Sequence, residues 1–159
     1  IRHGQENTVT AARLHDWTLV LLQTADEHVL PQVVAQTVRE LFAVPQVALR
    51  VWGMQPEFDE APHVYPPADD VQTFASSLVE PFCGPNPGLD VVQWLDDPAS
   101  VASVAVVPLR EDAGEPAFGV LVMGSDDAQR FSADMGTEFL SRMSALASAA
   151  LASARPLSL

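Results

Sequence analysis

The chain contains no lysine; all eight of its basic residues are arginine. That absence excludes a P-loop lysine, a Schiff-base lysine and a lysine general base. Cysteine is nearly absent too. The single Cys83 permits no intramolecular disulfide and no cysteine-rich zinc site. No apolar run approaches the roughly 20 residues that span a bilayer, and the start at Ile1 shows no basic-then-apolar leader. A reducing cytoplasm is therefore the expected compartment, and the missing initiator methionine leads us to expect further chain upstream. Cations are scarce overall: 8 Lys+Arg face 21 Asp+Glu, a formal net charge of −13. Binding to phosphate backbones needs clustered cations, so neither nucleic acid nor an anionic membrane surface is an expected partner.

What is present is enough for one domain with a sizeable core: 159 residues, 48% of them hydrophobic. The most informative stretch is the last third. Residues 100–109 (SVASVAVVPL) are almost wholly apolar, and a polar turn leads into 117–125 (AFGVLVMGS). The intervening turn is too short for a crossover helix, so the two runs are expected to pair antiparallel. A long helix is then expected to open at Ser132, with Met135, Phe139, Met143, Leu146 and Ala150 facing the sheet. Its small residues Ala145, Ser148, Ala149, Ala152 and Ser153 would permit close approach of another helix.

Upstream, Asn7 is placed to cap a helix over residues 8–24 with a broad apolar stripe. Pro31 suits the first turn of a second helix that ends before Pro45. Residues 47–53 alternate, with Val47, Leu49 and Val51 on one face and Arg50 and Trp52 on the other, as in a strand near the middle of a sheet. Residues 54–69 are rich in proline and acids and predict a surface excursion with at most one short strand. Asp69 or Asp70 is placed to cap a short helix. Residues 81–88 (PFCGPNPG) form the densest cluster of turn formers, and Val91 to Leu95 suggests a short strand.

The order helix, helix, strand, variable middle, strand pair and final helix resembles a GAF domain. More narrowly, VPQVALRVW (44–52), FCG (82–84) and GSDDAQRFSADMGTEFL (124–140) resemble the bacterial domain-of-unknown-function family DUF484. The resemblance implies an α+β fold, an antiparallel sheet of about six strands flanked by helices. It also implies a helix before residue 1, often coiled-coil-like, through which such domains dimerise. On this division residues 1–25 end an N-terminal dimerisation and signalling helix, 26–155 form the GAF-like domain, and 156–159 are a disordered tail. GAF relatives bind cyclic nucleotides, tetrapyrroles or other small molecules between the sheet and the variable middle. The cyclic-nucleotide signature needs a lysine, and the tetrapyrrole Cys-His pattern is missing because Gly84 follows Cys83. No cofactor is identified.

Catalytic chemistry finds little support. A lone cysteine beside Phe82 is more often a small buried hydrophobe than a nucleophile, and nothing in the sequence brings His63 to it. The histidines lack metal-ligand spacing, and the acidic pairs lie in turns, where Asp caps helices and stabilises bends. We expect no catalytic residue and no metal. A reductase of free methionine sulfoxide resolves its intermediate with additional cysteines, which this chain lacks. Arg130 suits either an ion pair with Asp126 or Asp127 or a carboxylate or phosphate ligand.

The functional expectation is a non-enzymatic sensory or regulatory domain that acts through the dimer packing of its terminal helices. A ligand-free dimerisation scaffold is the alternative. Any ligand is expected between the sheet and the middle segment, against Phe82, Cys83, Gly84, Asn86 and Gly88, with Trp94 and Trp52 as flat walls and Arg130 as a polar contact. The expected partners are a second copy of the chain, through the N-terminal helix, and a small molecule.

Overall fold

The computed structural model describes residues 2–132 and 138–156. Helix α1 (Arg2–Gln23) is followed by α2 (Leu30–Leu41), strand β1 (Gln46–Val51) and helix α3 (Asp69–Ser77). Then come β2 (Phe82–Pro85), β3 (Ser103–Leu109), β4 (Gly119–Ser125) and helix α4 (Glu138–Ala152). The strands form one antiparallel sheet in the order β1-β4-β3-β2. The expected pair of apolar runs is present, with Ser103 opposite Ser125 and Leu109 opposite Gly119.

The sheet has four strands among the described residues, not about six. Two segments account for the difference. Residues 90–94 form a 3-10 helix, because Val91, Val92 and Leu95 bury themselves against the sheet face and Leu95 N–H donates to the Val92 carbonyl. A short apolar run does not distinguish a strand from such a turn. In the excursion after β1, only Val64 forms a bridge, parallel to Val51. Hence β1 lies at an edge of the sheet rather than near its middle.

The Pro/Gly cluster holds a correction of the opposite kind. Phe82–Pro85 is a strand, pairing Phe82 with Val106 and Pro85 with Ser103. It is an edge strand, where a proline removes no bond the sheet needs. Pro108 in β3 lies beyond the stretch that β2 covers.

Each face of the sheet carries its own core. Leu49, Val51, Ala105, Val107, Leu121 and Met123 point toward α1, α2 and α4. Ala48, Trp52, Val104, Val106, Val120 and Val122 point toward α3 and the 90–94 turn. This is the alternation of a two-sided sheet. We call these the helix side and the loop side.

On the helix side, α1 sends Leu14, Trp17 and Leu21 inward. Trp17 is fully buried, meets Phe42 edge-on at 5.8 Å, and donates from Nε1 to the Thr37 hydroxyl at 2.8 Å. The C-terminal carbonyls of α2 receive two guanidinium groups, Arg13 at Leu41 and Arg130 at Phe42. Such cations satisfy orphan carbonyls and oppose the helix dipole.

The helices depart from the sequence expectations in three places. Asn7 lies inside α1 rather than at its cap. The N-cap of α3 is Ala68, with no side-chain bond, so Asp69 and Asp70 occupy its first turn. In α4 the buried residues are Leu140, Met143, Ala147, Ser148 and Leu151: Met143 faces inward as expected, whereas Phe139, Leu146 and Ala150 are only partly buried and their next neighbours take the inner positions. The expected helix opening at Ser132, the placement of Met135 and the tail at 157–159 concern residues outside the described ones.

Candidate ligand site

The loop side carries a groove of about 280 Å³ between α3 and the turn before the 3-10 helix, lined by Asp70, Val71, Phe74, Gly88, Leu89 and Val91 among others. Its walls are set by short-range chemistry. Asn86 Oδ1 accepts from Gly88 N–H at 3.0 Å, while its Nδ2 donates to the Val101 carbonyl at 3.2 Å. Gly88 has φ +85° with open space around its missing Cβ, a conformation costly for other residues. At the far end of α3, Arg110 donates to the carbonyls of Ala75 and Ser76 at 3.2 and 2.9 Å, and Ala117 N–H donates to the Ser76 hydroxyl. The helix forming one wall is thus tied to the sheet.

A larger depression of about 340 Å³ lies on the helix side, between the Arg110 turn and the small residues of α4. Two of its three serine hydroxyls are engaged: Ser144 donates to the Pro108 carbonyl at 2.6 Å and Ser148 accepts from Arg110 N–H at 3.1 Å. Small residues there let α4 lie close on β3. The loop-side groove has the more apolar walls and lies against the middle segment, which makes it the better ligand site.

The structure divides the expected site residues between the two faces. Phe82, Trp52 and Trp94 all pack with the loop-side core. Asn86 and Gly88 shape the groove margin, and Gly84 is buried opposite Val104. Cys83, one residue out of phase with Phe82, packs on the helix side, where its thiol meets the Ser132 carbonyl at 3.5 Å. Arg130 is also away from the groove. It pairs with neither Asp126 nor Asp127; its guanidinium bonds the Phe42 carbonyl and lies 5.3 Å from the Phe131 ring centre. Burial first, and then Arg13 nearby, lower its pKa, against the opposing pull of Asp127.

Burial pushes the Cys83 thiol up, away from the thiolate form. His63, at positive φ, bonds the Leu49 carbonyl beyond the outer edge of β1. Burial lowers its pKa and this bond opposes the shift. Cys83 lies on the opposite edge strand, three strand spacings or about 14 Å across the sheet. The two do not form a nucleophile–base pair. Among the described residues no group of three or more His, Cys, Asp or Glu side chains is arranged to hold a metal ion.

Two clusters escaped the sequence. Gln46 is a buried clasp: Nε2 donates to the Asp97 carbonyl and the Ser100 hydroxyl at 3.1 and 3.0 Å, and Oε1 accepts from Asp97 N–H at 2.8 Å. Arg50, on the loop-side face of β1, is flanked by the rings of Tyr65 and Trp94, their centres 4.3 and 4.2 Å from its guanidinium carbon. The alternation put Arg50 and Trp52 on one face, but no local pattern announces partners 15 and 44 residues away.

A two-sided antiparallel sheet with α1, α2 and α4 on one face and a short helix with irregular turns on the other defines a GAF-like domain. Solved structures agree. The GAF domain of a candidate sensor histidine kinase from Pseudomonas syringae pv. tomato aligns with TM-score 0.54 and 20% identity over 94% of this chain and 88% of that one. The GAF domain of the potassium sensor histidine kinase KdpD from Escherichia coli gives 0.52 and 13% over 90% and 93%. Free methionine-R-sulfoxide reductase from Neisseria meningitidis, solved with its substrate, gives 0.63 and 16% over 91% and 89%. The chain belongs to the DUF484 family, described as proteins of unknown function, whose model matches residues 2–152. A search of curated proteins finds no match. No helix among the described residues is long and apolar enough to cross a membrane.

Proposed function

We propose that this domain is a non-enzymatic, cytoplasmic sensor. A small molecule enters the loop-side groove, and its binding biases how α1 and α4 pack against a second copy of the chain. The carrying observation is the groove itself, open on the face opposite the terminal helices. A filled loop-side face would have favoured the scaffold reading. Coupling has a physical route, because β1, β3 and β4 each present alternate residues to the groove-side core and to the helices. Regulation requires the ligand to bind two helix arrangements with different affinity. The outward face of α1 carries Leu19 and Leu22, 41% and 77% exposed and three residues apart, a surface suited to a second copy.

The non-enzymatic reading rests on Cys83, whose thiol is held protonated and faces away from the groove. Thermal shift against a panel of small metabolites tests the proposal, with Val71→Trp to fill the groove. Stabilisation of the wild type that the variant loses is expected. Equal responses, or none, would contradict it.

A further inference from the structure

Arg50 differs in its bonding from six other arginines of the chain. Arg13, Arg39, Arg110, Arg130, Arg142 and Arg155 each donate to a carbonyl or carboxylate. The Arg50 guanidinium makes no hydrogen bond or ion pair with the described residues, in a chain with 21 acidic side chains. It lies over two aromatic rings, those of Tyr65 and Trp94.

That arrangement holds the side chain and leaves its chemistry unused. A guanidinium presents its N–H donors in its own plane. Cation–π attraction to the two rings holds the group without supplying its donors a carbonyl or carboxylate acceptor. The position is also fixed by the fold. Arg50 is paired with Val120 in β4. On the other side of β1, Val51 N–H donates to the His63 carbonyl and Tyr65 N–H donates to the Val51 carbonyl, both at 2.9 Å. Trp94 ends the same 3-10 turn whose Val91 lines the groove. A preorganised fork of this kind suits a carboxylate or phosphate, which accepts two parallel N–H bonds.

We propose that Arg50, held against the rings of Tyr65 and Trp94, is an oxyanion subsite of the loop side, receiving the carboxylate or phosphate group of the small molecule whose body lies in the groove. The proposal rests on the sensor reading for the groove. Asp70 and Asp90 line that groove, so the anionic group is accommodated at Arg50 and not between them.

The test is a titration of the intact chain with sodium phosphate and with sodium acetate, followed by NMR of the arginine Nε–H signals. Sodium chloride at matched ionic strength is the control. A saturable shift largely confined to Arg50 is expected with at least one oxyanion. In Arg50→Lys, followed through the neighbouring Trp94 indole N–H signal, the affinity should fall at least tenfold, because the charge remains and the fork is lost. Linear drift shared by all arginines, or the same response to chloride, would overturn the proposal without needing any variant to fold. The two readings separate in the metabolite panel. A ligand lost in Val71→Trp but unaffected by Arg50→Gln would leave the groove reading intact and refute the subsite. Saturable phosphate or acetate binding at Arg50 with an inert groove would do the reverse.

Discussion

Trp17→Ala measures whether α1 is part of the folded unit. Trp17 is fully buried, stands edge-on to Phe42 at 5.8 Å and bonds Thr37 at 2.8 Å. Truncating a buried tryptophan removes its transfer free energy and leaves a cavity, together costing about 3–5 kcal/mol. Thr37 is not orphaned, because its hydroxyl also donates to the Val33 carbonyl at 2.5 Å, so little is added on that account. For a chain of this size each kcal/mol moves the midpoint by about 2–4 °C, giving a fall of roughly 6–20 °C. Trp17→Phe keeps an aromatic ring but loses the indole donor, and should cost about 1–2 kcal/mol. Differential scanning calorimetry with near-ultraviolet circular dichroism reads both. A loss below about 1 kcal/mol for Trp17→Ala would refute the reasoning. The first helix would then be a detachable arm, and a signal could not pass from the sheet through its inner face to its outer one.

Other outcomes follow from the same geometry. Leu19→Glu combined with Leu22→Glu should convert a dimer to a monomer by light scattering while barely moving the thermal midpoint; a wild type monomeric at high micromolar concentration would count against the interface. Cys83→Ser should preserve the fold and any ligand affinity within about tenfold, or roughly 1.4 kcal/mol. The wild-type thiol should alkylate more slowly at neutral pH than free cysteine, and loss of an activity in Cys83→Ser at unchanged stability would make Cys83 a nucleophile. His63 is held neutral by burial, with its folded pKa below the unfolded one near 6.5. The unfolded chain therefore binds the proton first. The stability His63 contributes is complete above about pH 6.5 and is lost as pH falls from there toward the folded value. His63→Gln should flatten urea-derived stability over that interval, and an unchanged slope would contradict the assignment.

What the sequence disclosed depended on the range of the interaction. The β3–β4 pair was legible because each run is almost wholly apolar and the joining turn admits only a hairpin. The face assignment in β1 was legible because strand periodicity is local. Phe82–Pro85 was hidden, because its prolines and glycine signal a turn and only its edge position makes a strand tolerable. The 90–94 turn was hidden for the converse reason, an apolar run too short to carry a period. The candidate site was least legible. Its groove joins α3 to residues 88–91, and the Arg50 clamp joins three separate segments. Phe82 and Cys83 were expected at one site, and adjacent strand residues necessarily point to opposite faces.

Native mass spectrometry of the freshly purified chain tests the central claim most directly. A ligand-sensing groove predicts a discrete, non-covalent mass above that of the polypeptide, removed by mild activation and missing from Val71→Trp that retains the wild-type fold. Bare polypeptide masses from repeated preparations, or an adduct carried equally by the groove-filled variant, would contradict it.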